Sequence, residues 1–215
     1  EQLPAELERQ IAVIRAEVYR HRGEYQKSIE GCLRVLETLP SEQTYANQQT
    51  YTGIVTDLAW AYLMVGDLDA AQKWFKESLD IGQHSITLTL LALSGSAFVQ
   101  ELGGQLQKAV DTCLYGLDLI EETSEKISSD VSAAVYIHLR LGNLLRERNE
   151  LEEAEYHFKR GLDLGQKWHA VGDTMRDGFL DYSRLKMALG DFHGALAVLH
   201  QADKLLPRYQ FVPRF

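Results

Sequence analysis

Basic charge is in short supply in this chain: 22 Lys and Arg stand against 31 Asp and Glu, a formal net charge of -9 over 215 residues. Neutralising phosphates with Lys and Arg supplies most of the drive for DNA binding, and no run of Lys and Arg forms a basic patch. Direct nucleic-acid binding by this segment is therefore not expected, and the charge argues mainly for solubility. Cysteine is nearly absent, and Cys32 and Cys113 fall on predicted buried faces far apart in sequence, where a small buried hydrophobe is a better expectation than a disulfide or a reactive thiol. Four prolines and sixteen glycines are few for a sheet protein, and most glycines stand singly near predicted helix ends. No segment has the roughly 18 consecutive apolar residues needed to cross a bilayer. The opening Glu1-Gln2-Leu3-Pro4 lacks the basic and hydrophobic regions of a signal peptide, and the missing initiator Met suggests a piece cut from a longer protein. What is present is an ordinary apolar content of 45%, enough for a substantial core.

A small residue follows an apolar one by three positions at Tyr25/Ser28, Leu68/Ala71, Leu106/Ala109, Leu151/Ala154 and Phe192/Ala195. Successive small residues lie 43, 38, 45 and 41 positions apart, too far for one helix and regular enough to read as a stack of helix pairs. The second unit shows the pattern most clearly. Val55, Leu58, Ala59 and Tyr62 form one helical stripe. Gly66 can take the left-handed conformation that ends a helix, and Asp67 can cap the next, which carries Ala71, Phe75 and Leu79. So short a turn makes the two helices antiparallel. The other units repeat the arrangement through Ala16 and Ser28, Ala97 and Ala109, Gly142 and Ala154, and Ser183 and Ala195, each pair letting two backbones approach closely. Replacing Ala71 or Ala154 with Leu should overpack such a crossing, whereas the same change at Ala70, expected to be exposed, should cost little.

Unit three carries the ambiguous segment. Alternating Thr residues in Ile86-Thr87-Leu88-Thr89-Leu90 look locally like a strand. Ser85 as a cap, Ala97 in register with Ala59 and the Gly103-Gly104 turn favour a helix. Ten helices are expected, at about 4–22, 25–38, 45–65, 68–83, 86–102, 105–122, 127–147, 151–168, 172–189 and 192–206, with boundaries uncertain by about two to four residues. They form one helical repeat domain over 1–215, in units of about 4–38, 45–83, 86–122, 127–168 and 172–206. The last residues, Pro207 to Phe215, are expected to be extended.

Unit two, Leu58-Ala59-Trp60-Ala61-Tyr62 followed by Gly66-Asp67-Leu68-Asp69-Ala70-Ala71, resembles the tetratricopeptide repeat, although the interval here averages above forty rather than about 34. The segments from Leu141-Gly142-Asn143 to Glu152-Glu153-Ala154, Gly161-Leu162-Asp163-Leu164-Gly165 and Gly190-Asp191-Phe192-His193-Gly194-Ala195-Leu196 narrow the likeness. They resemble the MalT-like sensor region of large ATP-dependent LuxR-type transcription regulators of bacteria. That resemblance implies an all-α, right-handed superhelix of five antiparallel helix pairs, a tetratricopeptide-like α-α solenoid. It also implies a non-enzymatic, cytoplasmic module that binds a small-molecule inducer or a protein or peptide, with possible self-association of the full-length protein and no membrane contact. The flanking nucleotide-binding module and helix-turn-helix of that group have no counterpart here: there is no phosphate-binding Gly-rich loop and no basic recognition helix. No cofactor is expected. A free-standing adaptor that binds a peptide or protein tail is the alternative reading.

In such stacks the first helices line the concave side. Counting from the small residue of each first helix places Glu17 and Arg20, Trp60 and Leu63, Phe98 and Glu101, Asn143 and Arg146, and Arg184 and Met187 towards the groove, with Thr56 and Ser94 one turn earlier. Aromatic surface mixed with charged and hydrogen-bonding groups suits a small polar ligand or a peptide backbone. The same Trp60 and Phe98 could instead complete packing between repeats, and the Glu and Arg could pair or stay solvated. His157, His193 and His200 lie on second helices without recognisable metal-ligand spacing, so no metal is expected. Acidic clusters such as Glu152-Glu153-Glu155 sit in first turns, where they complement the helix dipole.

Overall fold

A computed structural model describes residues 5–39, 45–81, 85–124, 132–167 and 173–205. Ten helices occupy them: α1 (Ala5–His21), α2 (Tyr25–Thr38), α3 (Tyr45–Val65), α4 (Leu68–Ile81), α5 (Ile86–Leu102), α6 (Leu106–Ser124), α7 (Ala134–Glu147), α8 (Leu151–Lys167), α9 (Asp173–Ala188) and α10 (Phe192–Leu205). The chain is an all-α array of consecutive antiparallel helix pairs of tetratricopeptide type, and the Thr-rich segment of unit three is helical. The expected start of α7 near residue 127 and the expected extended segment 207–215 fall outside the described residues.

The same turn closes every pair. Gly23, Gly66, Gly104 and Gly190 have φ of 77°, 86°, 73° and 76°, and Asn149, the one non-glycine at positive φ among the described residues, has 63°. The residue after each donates its N–H back to a carbonyl five positions earlier: Glu24 to Tyr19 at 2.9 Å, Asp67 to Tyr62 at 3.0 Å, Gln105 to Gln100 at 2.8 Å, Glu150 to Leu145 at 2.9 Å and Asp191 to Lys186 at 2.9 Å. The left-handed residue itself donates to a carbonyl three positions back, at 2.9–3.1 Å. These two bonds satisfy carbonyls that the helix end would leave orphaned. Four positions beyond each such closing amide lies the small residue of the second helix, and its N–H makes that helix's first backbone bond, as from Ala71 to Asp67 at 3.0 Å and from Ala154 to Glu150 at 3.0 Å. Turn geometry and crossing position are thereby locked together. The Asp67 side chain caps α4 through the Ala70 N–H at 3.0 Å, and Asp191 caps α10 through the Gly194 N–H at 2.8 Å.

The small residues are where close packing requires them. Ala59, Ala71, Ala97, Ala109 and Ala154 are 0% exposed, and Ser28 donates its hydroxyl across the first crossing to the Ala16 carbonyl at 2.8 Å. At Gly142 the fit is tight: a Cβ there would press on the Phe158 ring at 3.1 Å, and the ring would have to give by a few tenths of an ångström. Gly95 is more restricted still, because a Cβ would overlap the Phe75 ring.

The chain forms two compact units. The first runs to Val99 and is built on two clusters, one of Ala16, Ile29, Cys32, Val35, Ile54, Leu58 and Ala61, the other of Ala59, Leu63, Ala71, Phe75, Ala92 and Val99. The second begins at Gln100 and buries Ile137, Leu141, Leu144, Phe158, Phe179 and Leu185 completely. Cys32 and Cys113 are free and buried, and burial pushes both thiols up to about 12, far from the thiolate form. Ala70 is half-buried rather than exposed, because it follows Asp67 into the first turn of α4 and lies beside the crossing.

Ala197 on α10, which is exposed, is the better reference position. Ala71→Leu and Ala154→Leu should each lower the unfolding free energy by about 1–3 kcal/mol through overpacking, with Ala197→Leu within about 0.5 kcal/mol of the parent. Urea denaturation monitored by circular dichroism checks both.

Candidate functional site

In the first unit, Arg20 on α1 reaches Asp57 on α3, with Nε donating to Oδ1 at 3.1 Å. Burial raises the Asp57 carboxyl above its ordinary range, with Arg20 opposing the shift. Glu17, one turn away, is exposed and 3.8 Å from His21. Trp60 is half-buried and stands edge-on to Phe75 with ring centres 5.4 Å apart. Phe98 packs against the same cluster. Thr56 and Ser94 are buried, and the Thr56 hydroxyl bonds the Thr52 carbonyl at 2.7 Å and Ser78 Oγ at 2.6 Å. Leu63 is a core residue, 4% exposed.

The second unit gathers charge. Glu101 on α5 accepts hydrogen bonds from Arg140 at 3.1 Å and from the Asn143 amide at 2.8 Å, both on α7. The Asn143 carbonyl accepts from Arg146 at 2.8 Å, which fixes the amide orientation from both sides. Arg146 also meets Glu147 at 2.5 Å, and Arg184 on α9 pairs with Asp181 at 2.7 Å. Glu101 and Asp181 both have carboxyls raised chiefly by burial, and the guanidinium groups of Arg140 and, for Asp181, of Arg184 pull them back. Three first-position helices thus share one low-dielectric polar surface. Within it, Arg146 Nε is buried without a hydrogen-bond partner among the described residues. Such a group costs roughly 1–3 kcal/mol unless an acceptor reaches it.

Of the residues named from helix phase, Glu101, Asn143 and Arg146 lie in contact, while Arg184 and Met187 on α9 are largely exposed, at 63% for the Arg184 side chain and 56% for Met187. Helix phase alone missed Arg140 and Asp181, which lie one turn earlier on α7 and α9. It also missed a histidine pair formed by the buried His138 and the half-buried His157. His138 Nδ1 on α7 lies 2.9 Å from His157 Nδ1 on α8 with the rings stacked at 5.2 Å, so one nitrogen donates and the other accepts. Burial, with smaller contributions from His157 and Arg160, lowers His138 to about 4, and burial lowers His157 as well. Glu155 does more than complement a helix dipole. It accepts from Lys186 at 2.7 Å and from Tyr182 at 3.2 Å and meets Lys159 at 2.9 Å, tying α8 to α9. Among the described residues, no group of three or more His, Cys, Asp or Glu could hold a metal ion, and no helix is long and apolar enough to cross a membrane.

The family model for the MalT-like TPR region matches residues 9–214. Among solved structures, BtubC (BKLC) from P. vanneervenii is similar at a TM-score of 0.63 and 18% identity, over 88% of this chain and 76% of that one. A signal transduction ATPase with numerous domains that carries a tetratricopeptide repeat sensor, from Pyrococcus horikoshii, gives 0.65 and 14%, over 94% of this chain and 30% of that one. Aspartyl phosphate phosphatase F from Bacillus subtilis gives 0.66 and 10%, over 99% and 65%. At these identities the likeness is one of fold. No curated protein matches the chain.

The histidine pair makes stability depend on pH with a definite sign. His138 is lowered in the folded state, so between its ordinary and its folded value the unfolded chain binds more protons, and stability present at neutral pH is lost as pH falls. The raised carboxyls of Asp57, Glu101 and Asp181 act in the opposite sense at lower pH. Between pH 7 and pH 5 the His138 contribution should amount to a loss on the order of 2 kcal/mol. Urea midpoints at the two pH values, for the parent and for His138→Gln, should show a smaller loss in the variant.

Proposed function

This chain belongs to the MalT-like TPR region family, and we propose that it is the sensing segment of a MalT-like, LuxR-family transcription regulator of the cytoplasm, binding a small inducer or a protein or peptide partner without catalysing a reaction. The observation that carries this reading is the polar surface of α7 and α9 with Glu101 at its edge. Arg146 Nε is a buried donor awaiting an acceptor, and a ligand carboxylate, hydroxyl or main-chain carbonyl supplies one. Asn143 and Arg184 offer further directed contacts, and the exposed Arg184 guanidinium can turn from Asp181 towards a ligand. In the first unit Glu17, Arg20, Trp60 and Phe98 form a separate set of candidates, while Thr56 and Ser94 are buried. The tetratricopeptide repeat sensor of the Pyrococcus horikoshii signal transduction ATPase is a precedent for this fold as a sensor within a larger protein.

The test is a thermal-shift screen of sugars, amino acids and short peptides, followed by calorimetric titration of any stabilising compound. Arg146→Ala should weaken binding about tenfold or more, equivalent to ~1.4 kcal/mol, and Asn143→Ala should do so as well while also lowering the melting temperature of the free protein, because it takes a hydrogen bond from the part-buried Glu101. Trp60→Ala reports separately on the first unit. A ligand that binds both α7 variants as tightly as the parent would place recognition elsewhere.

A further inference from the structure

Two partners hold the Arg146 guanidinium, and they differ in how firmly they can do so. Asn143, three residues earlier on α7, shares its face of the helix. The Asn143 carbonyl accepts from Arg146 Nη2 at 2.8 Å, and its amide is fixed in turn by Glu101 at 2.8 Å. Glu147 is the next residue along, and adjacent residues point about 100° apart around a helix. Its carboxylate reaches Nη2 alone, at 2.5 Å, and leaves Nε, on the same edge of the guanidinium, without a hydrogen-bond partner among the described residues. The Glu147 side chain is 45% exposed and that of Arg146 only 19%. Half of a fork that takes two oxygens is therefore filled, by a group that can turn into water at little cost.

Charge decides what replaces it. The surface balances pair by pair, Arg140 with Glu101, Arg146 with Glu147 and Arg184 with Asp181. The pairs are near enough that Arg140 and Arg146 both act on the Asp181 carboxyl. When Glu147 leaves, one positive charge stays behind on a guanidinium largely removed from solvent. A hydroxyl or a main-chain carbonyl would satisfy Nε without meeting that charge. One carboxylate does both, with one oxygen on Nε and the other on Nη2. We infer that the Nε/Nη2 edge of Arg146 is a carboxylate-binding site and that Glu147 is an internal stand-in which the ligand carboxylate displaces. This rests on the proposed reading of the surface as the sensing site, and it narrows the ligand to a carboxylate, of a free small acid or of a peptide C-terminus.

Nitrogen-15 NMR of the 215-residue chain, following the Arg146 Nε–H and the Asn143 side-chain amide, tests it. Acetate should shift both signals saturably, with a dissociation constant of roughly 1–10 mM for so small a ligand. Acetamide, of the same shape but uncharged, should not. Glu147→Gln should tighten acetate binding about threefold or more, because the open site is then more populated, whereas Glu153→Gln on the outer face of α8 should leave it unchanged. Arg146→Lys keeps the charge and loses the fork, and should weaken the acetate response of Asn143 about tenfold or more. Acetyl-diglycine with a free or an amidated C-terminus separates the sources: binding tighter than acetate and lost on amidation marks a peptide terminus, and binding no tighter marks a free acid. No saturable shift with acetate, an equal response to acetamide, or an acetate affinity unchanged by Glu147→Gln would overturn the inference. If acetate fails while a neutral sugar binds and loses affinity in Arg146→Ala, the carboxylate assignment falls and the sensing role stands. Acetate binding as described, with no stabilising compound found in the wider screen, would uphold the carboxylate site and count against the sensing role.

Discussion

A left-handed residue at the end of each first helix is the constraint from which the rest of the structure follows. A β-carbon at positive φ costs roughly 1–2 kcal/mol, so the position falls to Gly23, Gly66, Gly104 and Gly190, and at Asn149 to one of the few side chains that tolerate it. With the chain reversed there, the next amide closes onto the helix just completed and the following carbonyl opens the next one. The small residue of the second helix then arrives at a fixed distance from the turn. It must be small, because the reversed chain brings it against the first helix. Hydrophobic burial supplies most of the stabilising free energy, yet the turn decides which residues are buried.

The same geometry explains why polar residues gather on the first helices of the second unit. Second helices present one apolar face and a polar outer face, as α8 does with Glu152, Glu153 and Lys159 outward. First helices are packed more closely, with α7 in contact with α6, α8 and α9, so their polar residues are only partly solvated. Burial raises the carboxyls of Glu101 and Asp181 and makes every unmatched donor costly. A surface of this kind holds little free energy in its internal pairs, because desolvation offsets them.

Much of the fold is legible in sequence, because each turn is marked by a specific residue type and each crossing by another. Gly66-Asp67 and Gly190-Asp191 announce helix end and cap together, and the Gly103-Gly104 turn outweighs the strand-like threonines of α5. Depth is harder to read. Helix phase gives the direction of Thr56, Leu63 and Ser94 but not how closely the neighbouring helix approaches, and all three are buried. Partners on other helices are harder still. Nothing local to Asp57, His138 or Glu155 tells that Arg20, His157 and Lys186 stand beside them, since those contacts depend on how two helices cross.

Amide hydrogen exchange measured by NMR addresses the turn constraint most directly. Exposed turn amides ordinarily exchange fast, whereas those of Glu24, Asp67, Gln105, Glu150 and Asp191 should all be protected by at least about a hundredfold, because each closes a bond of 2.8–3.0 Å onto the preceding helix. Exchange of these five amides at the rate of an unstructured chain would contradict the account.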